Sequence, residues 1–305
     1  MEVPPYVETI ALPYPYIPEG VKAYLIDDDR PTLIDTGGGG AESLKILGQA
    51  LAERGSKVED VEVVLNTHAH PDHFGGDFYV KQASGARVLI HSLEAPVLRD
   101  PGSMLERWKR GYSEAGLPFA PRGYLDVLGS LRAVEPDRIL SDGDRVELGS
   151  VELRVIHTPG HSPGHLCFYD EDAGVLFSGD QVIGSGSVYI GGPDGDLPLY
   201  LESLERLLEM KIDLVLPAHG PPVGDPQRRI REILRHQEER EERILRILDE
   251  GPRDLHYVAE AVYAGESEVL PILGEMATLE RLRKLVQEGK AESATHNGGA
   301  TFSLV

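Results

Sequence analysis

The stretch Thr67-His68-Ala69-His70-Pro71-Asp72-His73 decides how this chain reads. It sets three imidazoles and a carboxylate within six positions, directly after the apolar run Val61 to Leu65. Four donors that close together converge on one spot or are wasted as polar side chains. Neutral imidazole and carboxylate are borderline-to-hard ligands, so a divalent transition metal (zinc, manganese or iron) is the natural centre for them. The competing reading is a polar loop with solvated histidines. It loses ground because the rest of the chain supplies further ligands.

Three later segments do so: Thr158-Pro159-Gly160-His161-Ser162-Pro163-Gly164-His165, Phe177-Ser178-Gly179-Asp180 and Pro217-Ala218-His219-Gly220. Each puts a His or Asp at the end of an apolar run, namely Val151 to Ile156, Gly174 to Phe177 and Ile212 to Leu216. Strand ends feeding loops are where α/β proteins build sites. Four strands are therefore expected to deliver ligands to one edge of a sheet.

This ordered set resembles the metallo-β-lactamase superfamily over residues 7 to 225, and Leu33-Ile34-Asp35-Thr36-Gly37 matches the family's early strand and turn. The resemblance implies a four-layer αββα sandwich for 1–225, the catalytic domain. It also implies a two-metal site. His68, His70 and His161 would hold the first metal, Asp72, His73 and His219 the second, and Asp180 would bridge them. Zinc is the first expectation, with manganese or iron as alternatives. A water shared by two such metals is deprotonated near neutral pH and attacks an ester, thioester, lactone or phosphodiester. Asp72 carries a further implied role, orienting that water. The best-known β-lactamases have Cys where Asp180 stands, which points away from antibiotics. The Asp-bridged version is shared by glyoxalase II-like thioesterases, lactonases and nucleases. Persulfide dioxygenases keep much of the motif with a single iron.

Other residues read more blandly. Asp35 is an acceptor behind a ligand histidine, with stabilisation of the turn before Ala41 as the alternative. His165, His157 and His91 are assigned structural roles, and His236, His256 and His296 lie far from the motifs. Cys167, between Leu166 and Phe168, is a small core residue. Ser162 and Ser178 lack the arrangement that activates a nucleophile. No glycine cluster is followed by the Lys-Ser/Thr of a phosphate loop.

The chain has 305 residues, a single Cys and a net charge of −21. One Cys excludes an internal disulfide, no run of 18 apolar residues offers a membrane span, and Met1 to Tyr6 lacks a signal-peptide layout. These features point to the cytoplasm. Arg outnumbers Lys 22 to 8, and Asn occurs only at 66 and 297. That composition is compatible with a thermophile or a GC-rich genome.

Charge is uneven along the chain. Residues 1–225 carry 18 Lys+Arg against 36 Asp+Glu, and 226–305 carry 12 against 15. The first part is poorly suited to non-specific nucleic-acid binding, which depends on neutralising phosphates.

Alternating β and α segments run through 7–100: a helix over 41–54, a strand over 61–66, a helix over 76–83 and a strand over 87–91. Residues 100–136 interrupt the rhythm, with a helix expected over 103–115 around Trp108. This insertion is either a lid beside the metals or a helix packed on the sheet. A Gly-rich loop from Gln181 to Leu199 is a second candidate substrate wall. After Pro221, Pro222 and Pro226, the periodicity predicts helices over 227–250, 254–263 and 269–288, then a hairpin around Asn297-Gly298-Gly299. Residues 226–305 thus read as a helical linker plus a winged-helix-like domain, a layout that resembles a tail found in endoribonuclease-like members of the superfamily.

The leading expectation is a metal-dependent hydrolase of a small ester or thioester, working through a metal-bridged hydroxide. Two alternatives stand beside it. One is a single-strand RNA endonuclease, which the charge opposes. The other is a mononuclear iron oxidoreductase resembling persulfide dioxygenases. A small-molecule substrate is the expected partner. A homodimer is allowed, since winged helices also serve as packing units.

Overall fold

Two β-sheets pack face to face, and alternation along their strands explains the layers. The computed structural model describes residues 2–15, 17–119, 127–264, 271–296 and 299–305. The first sheet has the order β1(Val7–Tyr14), β2(Ile17–Ile26), β3(Thr32–Ile34), β4(Val63–Leu65), β5(Arg87–His91), β6(Arg138–Leu140). β1 to β3 are antiparallel, and β3 to β6 are parallel. The second sheet runs β11(Leu214–Pro217), β10(Val175–Gly179), β9(Leu166–Asp170), β8(Glu152–His157), β7(Arg145–Glu147). Only its β10–β11 pair is parallel.

Successive side chains on a strand point to opposite faces. In β4, Val63 and Leu65 join a core with Leu153, Phe168 and Phe177 of the facing sheet, while Val64 joins the core on the outer side. Tyr24 and Phe177 meet edge to face across the two sheets, with centroids 5.3 Å apart. Leu47 and Leu51 of α1(Ala41–Glu53), Val80 of α3(Asp77–Ser84) and Leu98 of α4(Ala95–Arg99) cover the first sheet's outer face. Tyr200, Leu204 and Leu207 of α6(Leu197–Leu208) cover the second sheet, together with Ile230 and Ile233 of α7(Pro226–Asp249). The expected αββα sandwich is present.

Two details depart from expectation. The strand expected over 61–66 is confined to Val63–Leu65, with Glu62 and Asn66 bonding to neighbouring segments just beyond its ends. The strands expected to deliver ligands also do not share one sheet. β4 belongs to the first sheet, and β8, β10 and β11 belong to the second. Periodicity reports that a strand is buried and not which sheet it joins. The sheets meet at the ligand end, where Leu166 N donates to Thr67 O at 2.7 Å and Lys22 N to Ala218 O at 2.8 Å.

The insertion forms α5(Pro101–Glu114), capped by Asp100, whose side chain accepts from Gly102 N. Residues 120–126 of the insertion lie outside the described residues. After α7 come β12(Arg253–Asp254), α8(Leu255–Val262), α9(Pro271–Gln287), β13(Ala291–His296) and β14(Gly299–Leu304). β12 was not expected from the sequence. It pairs with β14 and makes a three-stranded sheet of order β12-β14-β13. The start of the helix expected from 269 and the turn at Asn297-Gly298 fall outside the described residues. Ile244, Leu248, Val258, Leu282 and Phe302 share a core here, and Tyr112 of α5 enters it.

Candidate metal centre

The chain leaves β4 at Asn66, and Pro71 then starts the one-turn helix α2(Pro71–Phe74). Proline at the first helical position is pre-set for the turn. That turn presents Asp72 and His73 beside His68 and His70. His161 arrives from the β8–β9 loop, Asp180 from the end of β10 and His219 from the end of β11. Gly179, at φ 49°, makes Asp180's approach feasible. A Cβ there would lie 2.7 Å from His165 Nε2 and 2.8 Å from Thr67 Cβ.

All seven expected residues come together. His68, His70 and His161 form one group, and Asp72, His73 and His219 another. His68, His73 and Asp180 also lie within reach of a shared ion. His161 Nε2 is 3.2 Å from His68 Nε2 and 2.9 Å from His70 Nδ1. His219 Nε2 is 3.4 Å from Asp72 Oδ2, and His73 Nε2 is 3.5 Å from the same oxygen. Asp180 faces both groups. Its Oδ2 is 3.3 Å from His161 Nε2, and its Oδ1 is 3.4 Å from His219 Nε2 and 3.6 Å from His73 Nε2.

The far nitrogens explain why the near ones point inward. His73 Nδ1 donates to Asp35 Oδ2 at 2.8 Å, His161 Nδ1 to Tyr189 O at 2.9 Å and His219 Nδ1 to Gly20 O at 2.9 Å. Thr67 Oγ1 gives its proton to Asp35 Oδ2 and so accepts from His68 Nδ1, 3.0 Å away. An imidazole that donates from one nitrogen keeps its lone pair on the other. The lone pairs of His68 Nε2 and His161 Nε2, facing one another at 3.2 Å, cannot hydrogen-bond. His73 Nε2 and Asp180 Oδ1 are likewise buried without a hydrogen-bond partner. Divalent cations fit this donor set.

Charge divides the two groups. Burial, helped by neighbouring imidazoles, pushes His68 well below its usual range and His161 down to about 4. Burial also acts to lower His73 and His219, but carboxylates outweigh it and raise both: Asp72 and Asp180 at His73, Asp180 and Asp72 at His219. Asp72 falls to about 2 and Asp180 also falls well below its range. Burial opposes both shifts, and the His73 and His219 imidazoles prevail. A cation held by the second group would have to displace those protons.

Asp35 stands behind a site histidine and is held in the left-handed region at φ 58°. His165 is structural: its Nε2 accepts from Asp180 N at 3.1 Å, and its Nδ1 faces Thr158 Oγ1 at 2.8 Å. Cys167 is buried, its thiol pushed up to about 12 by burial. Ser178 donates its hydroxyl to Val182 O, a backbone carbonyl and not a base. His91 stacks on His157 with centroids 4.3 Å apart. His256 pairs with Glu275 at the surface. Trp108 packs against the core of the first sheet, as expected for a helix laid on it, and it also borders the site: its ring lies edge-on to His70 at 5.8 Å, and its Nε1 donates to Asp194.

Glu94 and Asp194 were missed from the sequence. Buried Glu94 accepts from Ala69 N at 3.2 Å and Gly164 N at 2.8 Å, tying two ligand loops together. Nothing in its spacing signals this. Asp194 sits in Gly-Pro-Asp-Gly, which reads as a turn.

The family model of the metallo-beta-lactamase superfamily matches residues 16–219. The probable metallo-hydrolase YqjP of Bacillus subtilis is 29% identical over 289 residues, covering 89% of this chain and 90% of that protein. The acyl-coenzyme A thioesterase MBLAC2 of Bos taurus is 36% identical over 168 residues, covering 53% of this chain, which spans only 57% of MBLAC2's length. Among solved structures, the metallo-beta-lactamase family protein TTHA1429 of Thermus thermophilus superposes with a TM-score of 0.86 at 28% identity, covering 99% of both chains. The family match runs from the edge of β2 to His219, the last of the seven converging residues, and the chain belongs to the metallo-beta-lactamase superfamily.

Proposed function

We propose that this protein is a dinuclear metal hydrolase, zinc being the first choice of cation, that cleaves acyl thioesters. The observation that carries the reading is Asp180, whose two oxygens face different histidine groups at 3.3 and 3.4 Å. In this reading His68, His70 and His161 would hold one cation, Asp72, His73 and His219 would hold the other, and Asp180 would serve both. Bound there, the cations supply an activated water and neutralise charge developing on the acyl oxygen and leaving sulfur.

The chain's own residues do the rest. Asp72, kept ionised beside His73 and His219, would serve as a ligand and as an acceptor for the water. Asp35, Tyr189 and Gly20 hold the ligand rings in fixed tautomers, so little reorganisation is needed when charge develops. Trp108 walls the site beside His70.

The thioester assignment draws on the likeness to MBLAC2, a protein named as an acyl-coenzyme A thioesterase. It is tested by following thiol release from acyl-coenzyme A substrates, with lactone, phosphodiester, RNA and β-lactam substrates in parallel. Thioester turnover that chelator and Asp180→Asn both abolish supports the reading. Turnover confined to another class refutes it.

We also read 226–305 as a helical linker plus a winged-helix-like domain, supported by its strand order and core. Its charges argue against RNA. Arg281 is 2% exposed and bonds Gln237, Arg283 pairs with Glu280, and Lys284 pairs with Glu241 and Glu288. None of the described helices is long and apolar enough to cross a membrane.

A further inference from the structure

We propose that Asp194 is a positioning residue for His70, and that helix α5 serves the metal centre by holding Asp194 in place. The proposal rests on the metal-centre reading above. His70 Nδ1 is the nitrogen that faces His161, at 2.9 Å. Its other nitrogen, Nε2, therefore points away from the cluster. Nε2 is buried without a hydrogen-bond partner, and Asp194 Oδ2 stands 3.6 Å from it. A neutral imidazole that ligates through Nδ1 carries its proton on Nε2. That proton needs an acceptor, and Asp194 faces it. The distance exceeds a hydrogen bond.

Asp194 is itself fixed. Its side chain is 5% exposed, and Arg107 pairs with its Oδ1 at 2.6 Å. Trp108 Nε1 donates to its Oδ2. A buried carboxylate persists only with such partners. Arg107 and Trp108 both belong to α5, so the insertion reaches the ligand set through this one carboxylate.

The same loop supports a second ligand. Tyr189 O accepts from His161 Nδ1, five residues before Asp194. Gly191, between them, presses on α9: a Cβ there would lie 2.9 Å from Ala277 N. The segment 189–194 thus backs two histidines of the first group and is clamped by α5 on one side and α9 on the other. Asp194 lies on the far side of the His70 ring from the cluster, which separates its role from that of a ligand.

The test uses the full chain with Asp194→Ala, Asp194→Asn, Trp108→Phe and the unaltered protein. Zinc affinity is read by competition with a chromophoric chelator, the ligand field from the visible spectrum of the cobalt(II) form, and folding from thermal unfolding of metal-stripped protein. Asp194→Ala is expected to weaken one of the two bound zincs about tenfold to a hundredfold. It should also alter the cobalt bands while leaving metal-stripped unfolding near that of the unaltered chain. Asp194→Asn, which keeps an acceptor, recovers part of the loss, and Trp108→Phe gives a smaller shift. Unchanged zinc affinity and cobalt bands in Asp194→Ala overturn the proposal. If that variant does not fold, the same result in Asp194→Asn overturns it. An affinity loss that merely tracks unfolding of the metal-stripped form also overturns it. Failure of the unaltered protein to bind zinc or cobalt overturns the metal-centre reading itself.

Discussion

Asp35 Oδ2 lies 2.8 Å from His73 Nδ1, with the carboxylate buried and its backbone at φ 58°. The same side chain accepts from Thr67 N and Thr67 Oγ1, both at 2.8 Å. One carboxylate thus orients His73 directly and His68 through Thr67. Residues with positive φ, glycine apart, cost free energy and cluster where function requires them. Asn tolerates that backbone and keeps one acceptor, so Asp35→Asn should fold. It should lose about tenfold to a hundredfold in metal affinity, measured by chelator competition. Unchanged affinity would show that Asp35 serves only the turn.

Asp77 gives a pH signature. It is fully buried, accepts from Thr36 Oγ1 at 2.7 Å and Asn66 Nδ2 at 2.6 Å, and is raised from 3.8 to about 7, burial outweighing those two hydrogen bonds. Unfolded, it ionises near its ordinary value, whereas folded it keeps its proton to near neutrality. Between those values the native state binds more protons. Its contribution is therefore complete at low pH and is lost as pH rises through the window. Asn at 77 has no proton to lose. Asp77→Asn should gain stability relative to the unaltered chain between pH 4 and 7, by on the order of 3 kcal/mol. A difference in unfolding midpoint that stays flat with pH contradicts this.

Much of the site was legible because each ligand motif ends an apolar run. Burial forces such runs into strands, and the loops that follow must carry the polar groups. What stayed hidden depends on tertiary contact. Glu94 and Asp194 acquire meaning only when α4 and the loop before α6 fold against the ligand loops, and no local spacing encodes that. β12 is two residues long and exists because β14 pairs with it. The division of ligand strands between two sheets was hidden for the same reason. Val63 and Phe177 look alike in sequence and differ only in which partner strand they find.

Glu94 should contribute to stability even without metal. Its two oxygens accept from backbone amides of separate ligand loops. In Glu94→Gln one oxygen becomes a donor that faces another donor. Leaving a buried donor unpaired costs about 1–3 kcal/mol. The chemical-denaturation midpoint of the metal-stripped variant should fall accordingly. A midpoint equal to that of the unaltered chain would remove Glu94 from the frame.

The cations of α9 are committed within the protein. Arg283 bonds Glu280 at 2.5 Å, and Lys284 bonds Glu241 at 2.5 Å. Single-stranded RNA should therefore bind no more tightly than the roughly micromolar limit of non-specific contact at physiological salt. Nanomolar binding that weakens steeply with salt, and is lost in Arg283→Ala with Lys284→Ala, would restore the nuclease reading.

Metal stoichiometry bears most directly on the proposed two-metal hydrolytic centre. Elemental analysis of protein purified without added chelator, set beside the same analysis of Asp180→Asn, should return close to two divalent cations per chain for the unaltered protein and fewer for the variant. One firmly bound iron per chain, equally retained in Asp180→Asn, would contradict the centre and with it the hydrolase.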